Sequence, residues 1–186
     1  NVVSTISTCY SDTFGFTSAE VNKILNNYSL SFWKDEIVKW YDGYTFGGSS
    51  EIYNPWSINS FVGLLEGPTC YWTNISDNSL INDLIKNCSK DVYSAFVGLL
   101  QDETYQFNLD SNISFNNFYQ REKESIFSLL VASGYITVIE YDLSGKVFSK
   151  IPNFEVKETF KKMINDWFSP SVESYSEFIK SFLSCN

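Results

Sequence analysis

Leu129-Leu-Val-Ala-Ser-Gly-Tyr-Ile-Thr-Val-Ile-Glu-Tyr runs directly into Asp142-Leu-Ser-Gly-Lys-Val-Phe-Ser-Lys-Ile and then Pro152-Asn-Phe-Glu-Val. Its first residues end an apolar helical stripe that includes Ile126 and Phe127, and Gly134 stands where a left-handed helix stop is needed. Two β-rich runs, 135–141 and 146–151, flank Asp142-Leu-Ser-Gly and predict a hairpin. Pro152-Asn153 ends that hairpin, and a helix is expected over 154–168. Upstream, Tyr105-Gln-Phe-Asn-Leu alternates as a strand does, and 118–133 reads as one long helix. Strand, helix, hairpin and helix in this order predict a winged-helix-like unit over 104–168.

Toward the N-terminus the pattern is helical. Thr17 followed by Glu20 three residues later forms a capping-box signal, and Val21, Ile24, Leu25 and Tyr28 share one face. A second helix is expected from Leu30 to Tyr41, with Phe32, Trp33, Ile37 and Trp40 at helical spacing and Asp42-Gly43 as its stop. A short hairpin about Gly47-Gly48 follows, and Pro55 then opens a helix bearing Trp56, Ile58, Phe61, Val62 and Leu65. Further helices are expected at 77–86 and 91–100, each with an acidic cap, and at 172–183. The fold class is therefore mainly α (α+β): a helical bundle with a winged-helix-like unit and small β-hairpins. It divides into a helical region over 1–103, the winged-helix-like unit over 104–168, and a C-terminal helix over 169–186.

Composition narrows the function classes. With 186 residues and 44% hydrophobic content, including 16 Phe, 12 Tyr and 5 Trp, the chain can build a substantial core. A net charge of −9 and no basic run disfavour binding to a phosphate backbone, so nucleic acid is not expected as a partner. The absence of histidine removes Ser/His/Asp and Cys/His triads, imidazole metal sites and any histidine pH switch. Cys9, Cys70, Cys88 and Cys185 form no CxxC pair and read as reduced, mostly buried thiols. Sequons at Asn27, Asn74, Asn87 and Asn112 would suit a secreted glycoprotein, although a chain rich in Asn and Ser produces such triplets by chance. No signal-peptide pattern and no membrane-length apolar run are present, so an intracellular, cytoplasmic location without a membrane partner is expected. The missing initiator Met and the start in mid-pattern suggest a fragment of a longer polypeptide.

Two groups of residues invite a functional reading. Asp142 followed by Glu155-Val-Lys157 has the spacing of a metal-dependent nuclease core, which would lose Mg²⁺-dependent cleavage on Glu155→Ala. Opposing this, Asp142 falls in a turn and Glu155 at a helix start, where acidic residues serve as ordinary caps. No catalytic residue is assigned, and the chain itself is not expected to be an enzyme. Gly43, Gly47 and Gly48 lack the lysine and spacing of a phosphate loop. Trp40, Tyr41, Asp42, Tyr44 and Phe46, together with Tyr53, Asn54 and Trp56, form the candidate binding set: an aromatic-rich face suited to docking another domain. Lys146, Lys150, Arg121 and Lys123 fall where a winged helix meets DNA, but Glu122, Glu124, Glu140 and Asp142 interrupt their field.

Several strings recur in order in one known family. Phe14-Gly-Phe-Thr-Ser-Ala-Glu-Val, Lys39-Trp-Tyr-Asp-Gly-Tyr-Thr-Phe-Gly, Ile52-Tyr-Asn-Pro-Trp-Ser-Ile and Tyr71-Trp-Thr-Asn-Ile-Ser-Asp-Asn-Ser-Leu-Ile are the first four. With Leu129-Leu-Val-Ala-Ser-Gly-Tyr-Ile-Thr and Ile151-Pro-Asn-Phe-Glu-Val, the chain from Asp12 to Phe168 resembles the second half of the AAA-ATPase-like family. The resemblance implies that 1–103 is lid-like and that the whole is a non-catalytic module. Such a module would scaffold, or relay nucleotide state between, an upstream P-loop ATPase domain and a downstream PD-(D/E)XK nuclease domain. It implies no cofactor in this chain, with ATP and Mg²⁺ entering only through an upstream P-loop domain. The alternative expectation is a free-standing interaction or effector domain that binds a protein partner through the aromatic face.

Overall fold

The computed structural model describes residues 13, 15–47, 49–72, 81, 88–109, 123–142 and 146–168. The helix expected at 172–183, most of that at 77–86, the start of 118–133, the turn at 143–145, and Cys9 and Cys185 lie outside the described residues. What is described is an α+β mixture of six α-helices and two three-stranded antiparallel sheets.

A two-residue strand β1 (Phe16–Thr17) leads into α1 (Ser18–Asn27). Thr17 caps α1 as expected: its hydroxyl accepts from the Glu20 N–H, and its own N–H donates to the Glu20 carboxylate at 2.9 Å. The single helix expected over 30–41 instead begins as a 3₁₀ turn (Ser31–Trp33) and becomes α2 (Lys34–Tyr41). The Leu30 N–H donates to the Leu25 carbonyl at 2.8 Å, tying it back onto the end of α1, and the chain reverses through a tighter turn. β2 (Tyr44–Phe46) and β3 (Ser49–Tyr53) form the expected hairpin, and β1 pairs with the other edge of β3 to give the order β1-β3-β2. α3 (Pro55–Leu64) starts with Pro55 in its first turn; the Asn54 side chain caps it and Leu65 ends it in a left-handed conformation.

α4 (Lys90–Leu100) is capped by the Ser89 side chain, not by an acid; Asp91 sits inside the first turn, where it favours the helix dipole. β4 (Tyr105–Asn108), α5 (Lys123–Ala132), the hairpin β5 (Thr137–Tyr141) and β6 (Lys146–Lys150), and α6 (Phe154–Phe168) complete the described chain. β6 is the central strand of the second sheet, in the order β4-β6-β5. α5 ends as the sequence predicts. The Tyr135 and Gly134 N–H groups donate to the Leu130 and Val131 carbonyls, and Gly134 has φ +78°.

The buried side chains form two clusters. The first gathers Val21, Leu25, Ile37, Tyr41, Ile58 and Phe61. In the second, Phe127 is fully enclosed and touches the rings of Tyr105, Phe96 and Phe107 at centroid distances of 4.2, 5.5 and 5.6 Å. α4 belongs to the second cluster, and along the chain the change from one cluster to the other falls between Tyr71 and Trp72.

The two clusters meet where the 42–45 segment crosses onto the second sheet. A Cβ on Gly43, which has φ +111°, would lie 2.0 Å from the Pro152 carbonyl oxygen. Gly43→Ala therefore meets backbone strain and a backbone clash together, and is expected to destabilise the protein by more than about 2 kcal/mol in urea unfolding. Gly63, in α3, has nothing within 4 Å of the same position. Gly63→Ala is expected to leave stability unchanged or raise it by up to about 1 kcal/mol; equal losses for the two substitutions would contradict this packing.

Candidate functional site

Glu155 follows the Asn153 cap of α6 and, from sequence, looks like a solvated helix-start acid. Its side chain is fully buried. The Ser57 hydroxyl of α3 donates to one carboxylate oxygen at 2.7 Å, and the Trp72 N–H donates to the other at 2.7 Å. Burial pushes the carboxyl above its ordinary value, and the donors from Ser57, Trp72 and the Tyr71 backbone oppose that rise. The backbone around it is equally engaged, since the Thr159 hydroxyl and the Cys70 thiol both donate to the Glu155 carbonyl.

Three tyrosines surround this carboxylate electrostatically. Tyr41 donates its hydroxyl to the Thr69 carbonyl at 2.9 Å and accepts from the Thr69 N–H at 2.8 Å. Tyr44 donates to the Gly134 carbonyl at 3.2 Å. Burial, reinforced by the nearby Glu155 charge, holds both phenols far above the ordinary tyrosine value; Tyr71 is raised for the same reasons, with Glu66 adding to it. Asn153 Nδ2 is the one buried side-chain nitrogen or oxygen among the described residues without a formed hydrogen bond.

The nuclease-like trio does not converge. Lys157 pairs with Asp102 at 2.6 Å. Asp142 accepts from the Gln106 amide and the Lys146 N–H at the turn end of the β5–β6 hairpin, about 13 Å of strand away from the Lys150 end that leads to Glu155. Among the described residues no group of three or more Cys, Asp or Glu is placed to hold a metal ion. Cys70 is a buried cysteine and Cys88 a partly buried one.

The aromatic candidates are distributed over several environments. Tyr44, Phe46, Tyr53 and Asn54 come together around a cleft of about 270 Å³, closed on its far side by Trp72 and the Val131–Gly134 end of α5. Tyr41 lies inside the first cluster, and Asp42 is half-buried, with its carboxylate accepting from the Gly43 N–H. Burial raises the Asp42 carboxyl above its usual range. Trp40 packs edge-on against Phe154 at 4.8 Å. Trp56 does not line the cleft but stands beside Pro55, which does, and is 52% exposed. The Trp40–Trp56 set thus forms part of the core as well as part of a surface.

A second apolar surface lies where the sequence predicted core. Phe32, Leu64 and Leu65 are 76, 57 and 64% exposed. Trp33 packs edge-on against Phe61 of α3 at 6.1 Å and lies 5.6 Å from the Phe32 ring. The 3₁₀ turn explains the discrepancy, because its three-residue period turns Phe32 away from the face that α-helical spacing assigns it.

Comparison of the chain with protein-family models, with curated proteins and with solved structures finds no match. Among the described residues no helix is long and apolar enough to cross a membrane.

The chemistry of Glu155 sets a pH signature. Its folded-state value lies above its unfolded value, so its contribution to stability is complete below the unfolded value of 4.5 and is lost as pH rises through the folded one. Relative to Glu155→Gln, the wild-type protein is expected to lose stability between pH 4 and neutrality, as followed by urea unfolding at each pH; a pH-independent difference would refute this assignment. Glu155→Ala, which strands the Ser57 and Trp72 donors beside a cavity, is expected to lose about 3 kcal/mol at neutral pH.

Proposed function

We propose that this chain is a non-catalytic docking module: the helical and winged-helix part of an AAA-ATPase-like protein, which joins a nucleotide-binding domain to an effector. The cleft bounded by Tyr44, Phe46, Tyr53, Asn54 and Trp72 carries this reading. Four aromatic side chains, Tyr44, Phe46, Tyr53 and Trp72, stand in its wall, it draws on both halves of the chain, and the exposed Trp56 directly follows its lining residue Pro55. Tyrosine and tryptophan at the rim of an apolar concavity are what a protein partner uses as anchors.

The winged-helix part of the proposal rests on topology. α5 lies between β4 and β5 in the chain, the β5–β6 hairpin follows, and β6 inserts between β4 and β5 to give the sheet order β4-β6-β5. The exposed end of the hairpin mixes Lys146 with Glu140 and Asp142, and the chain carries a net charge of −9, so the unit serves protein contact and not DNA contact. A relay needs its two halves to move as one. The Tyr44–Gly134 and Ser57–Glu155 hydrogen bonds, which span 90 and 98 residues, supply such a linkage.

The test compares hydrogen exchange in this chain alone with exchange in the full-length product of its gene. Residues 44–46, 54–56 and 131–134 are expected to gain protection in the longer polypeptide, and Phe46→Ala and Trp56→Ala to remove that gain while leaving the fold intact. Protection confined to Phe32–Trp33 and Leu64–Leu65 would move docking to the other apolar surface and overturn the cleft assignment. A gene product that ends with this chain, or shows unchanged exchange throughout, would overturn the module reading itself.

A further inference from the structure

A different concavity has Asn153 in its wall. It has a volume of about 440 Å³ and is built from the end of α2, the end of α4 with the turn after it, the β6–α6 connection and the first turn of α6. Lys39, Lys150 and Lys157 line it, against a floor that includes Leu99, Ile151 and Phe154. In a chain with 22 acidic and only 13 basic residues, three lysines converging from three elements on one cleft contrast with the surface charge elsewhere.

The acids that face them are few. Asp102 holds Lys157 at 2.6 Å, and its own side chain is 79% exposed. Asp42 attracts Lys150 from beside the cleft, although no ion pair forms within 4 Å. Lys39 has its ammonium 4.9 Å from the centre of the Phe154 ring, which holds it in place without neutralising it. Lys161, on the next turn of α6, lies over the same ring at 5.5 Å and pairs with Glu158.

We infer that this cleft binds a small polyanion, a molecule bearing either a phosphate group or several carboxylates, clamped between Lys39, Lys150 and Lys157. Ammonium groups are compact point charges on flexible stems, suited to oxyanions of varied geometry. The apolar floor would accept an uncharged body attached to the anion, and the volume falls within the range of small-molecule sites. Asp102 acts as an internal competitor, because its carboxylate occupies Lys157 until an incoming anion displaces it. This inference is independent of the docking function.

Titration with inorganic pyrophosphate and with citrate, followed by calorimetry or amide chemical shifts at low and physiological ionic strength, tests the site. Saturable binding with a Kd at or below about 1 mM is expected for at least one probe. Pyrophosphate alone would identify a phosphate ligand, citrate alone a polycarboxylate, and both the shared polyanion chemistry. Lys39→Ala and Lys150→Ala are each expected to weaken binding about tenfold, and Asp102→Asn to tighten it, with each variant's fold checked by circular dichroism. Lys23→Ala, which removes the same charge from an exposed position on α1, is the control. Absence of saturation with both probes, or equal weakening by Lys23→Ala and by the two cleft variants, would overturn the inference.

Discussion

The fold is organised around one buried carboxylate. Among the described residues Glu155 has no cationic partner; its oxygens are satisfied by the Ser57 hydroxyl and by backbone N–H groups of the 71–72 segment. An ionised carboxylate removed from water is costly, and neutral donors offset that cost only when their geometry is fixed. α3, the segment after it and α6 are therefore held in one relative arrangement. Apolar packing alone would permit them to slide, since hydrophobic contacts are non-directional. The interaction thus contributes to the uniqueness of the arrangement more than to net stability.

Around this point the two hydrophobic clusters are joined by polar ties with narrow tolerances. The Thr45 N–H donates to the Thr137 hydroxyl at 3.0 Å, the Tyr44 hydroxyl reaches the Gly134 carbonyl, and Gly43 lies against the Pro152 carbonyl. Each tie connects the β2 segment to a residue more than 85 positions away in sequence. Trp40 against Phe154 adds an aromatic contact between α2 and α6. A displacement of the first cluster would have to break these bonds together or carry the second sheet with it, which is the mechanical property that a coupling module requires.

Local structure was legible in the sequence wherever a single short-range interaction decides it. Thr17 with Glu20, Pro55, and Gly134 each act within four residues, and each does in the structure what its type and spacing imply. Ser89 was missed because Asp91, two positions later, carries the same N-terminal signal. The 3₁₀ turn was missed because its cause is the anchoring of Leu30 to Leu25, a tertiary reversal that leaves the apolar spacing looking helical. Glu155 illustrates the limit most clearly. A Glu two positions after an Asn cap is chemically ordinary, and only Ser57 and Trp72, 98 and 83 residues earlier, make it otherwise. The aromatic strings near residues 40–56 divide between core and surface for a related reason: a strand buries alternate residues, and this hairpin has the second sheet on one flank and a cleft on the other.

The distribution of polar and apolar groups bears on what such a molecule does. Catalysis by side chains needs a perturbed titratable group that a substrate can reach, because the shift is useful only where a proton or charge is exchanged. Here the most deeply enclosed carboxylate is bonded on both oxygens and closed from solvent, and the phenols of Tyr41 and Tyr44 are likewise buried. Large apolar side chains go the other way: Phe32, Trp56, Leu64 and Leu65 stand more than half exposed. Leaving such groups in water opposes folding slightly and favours association strongly, since their burial is then deferred to the moment of contact. Among the described residues, perturbed titratable groups turned inward and hydrophobic area turned outward are what the docking surface proposed above would require.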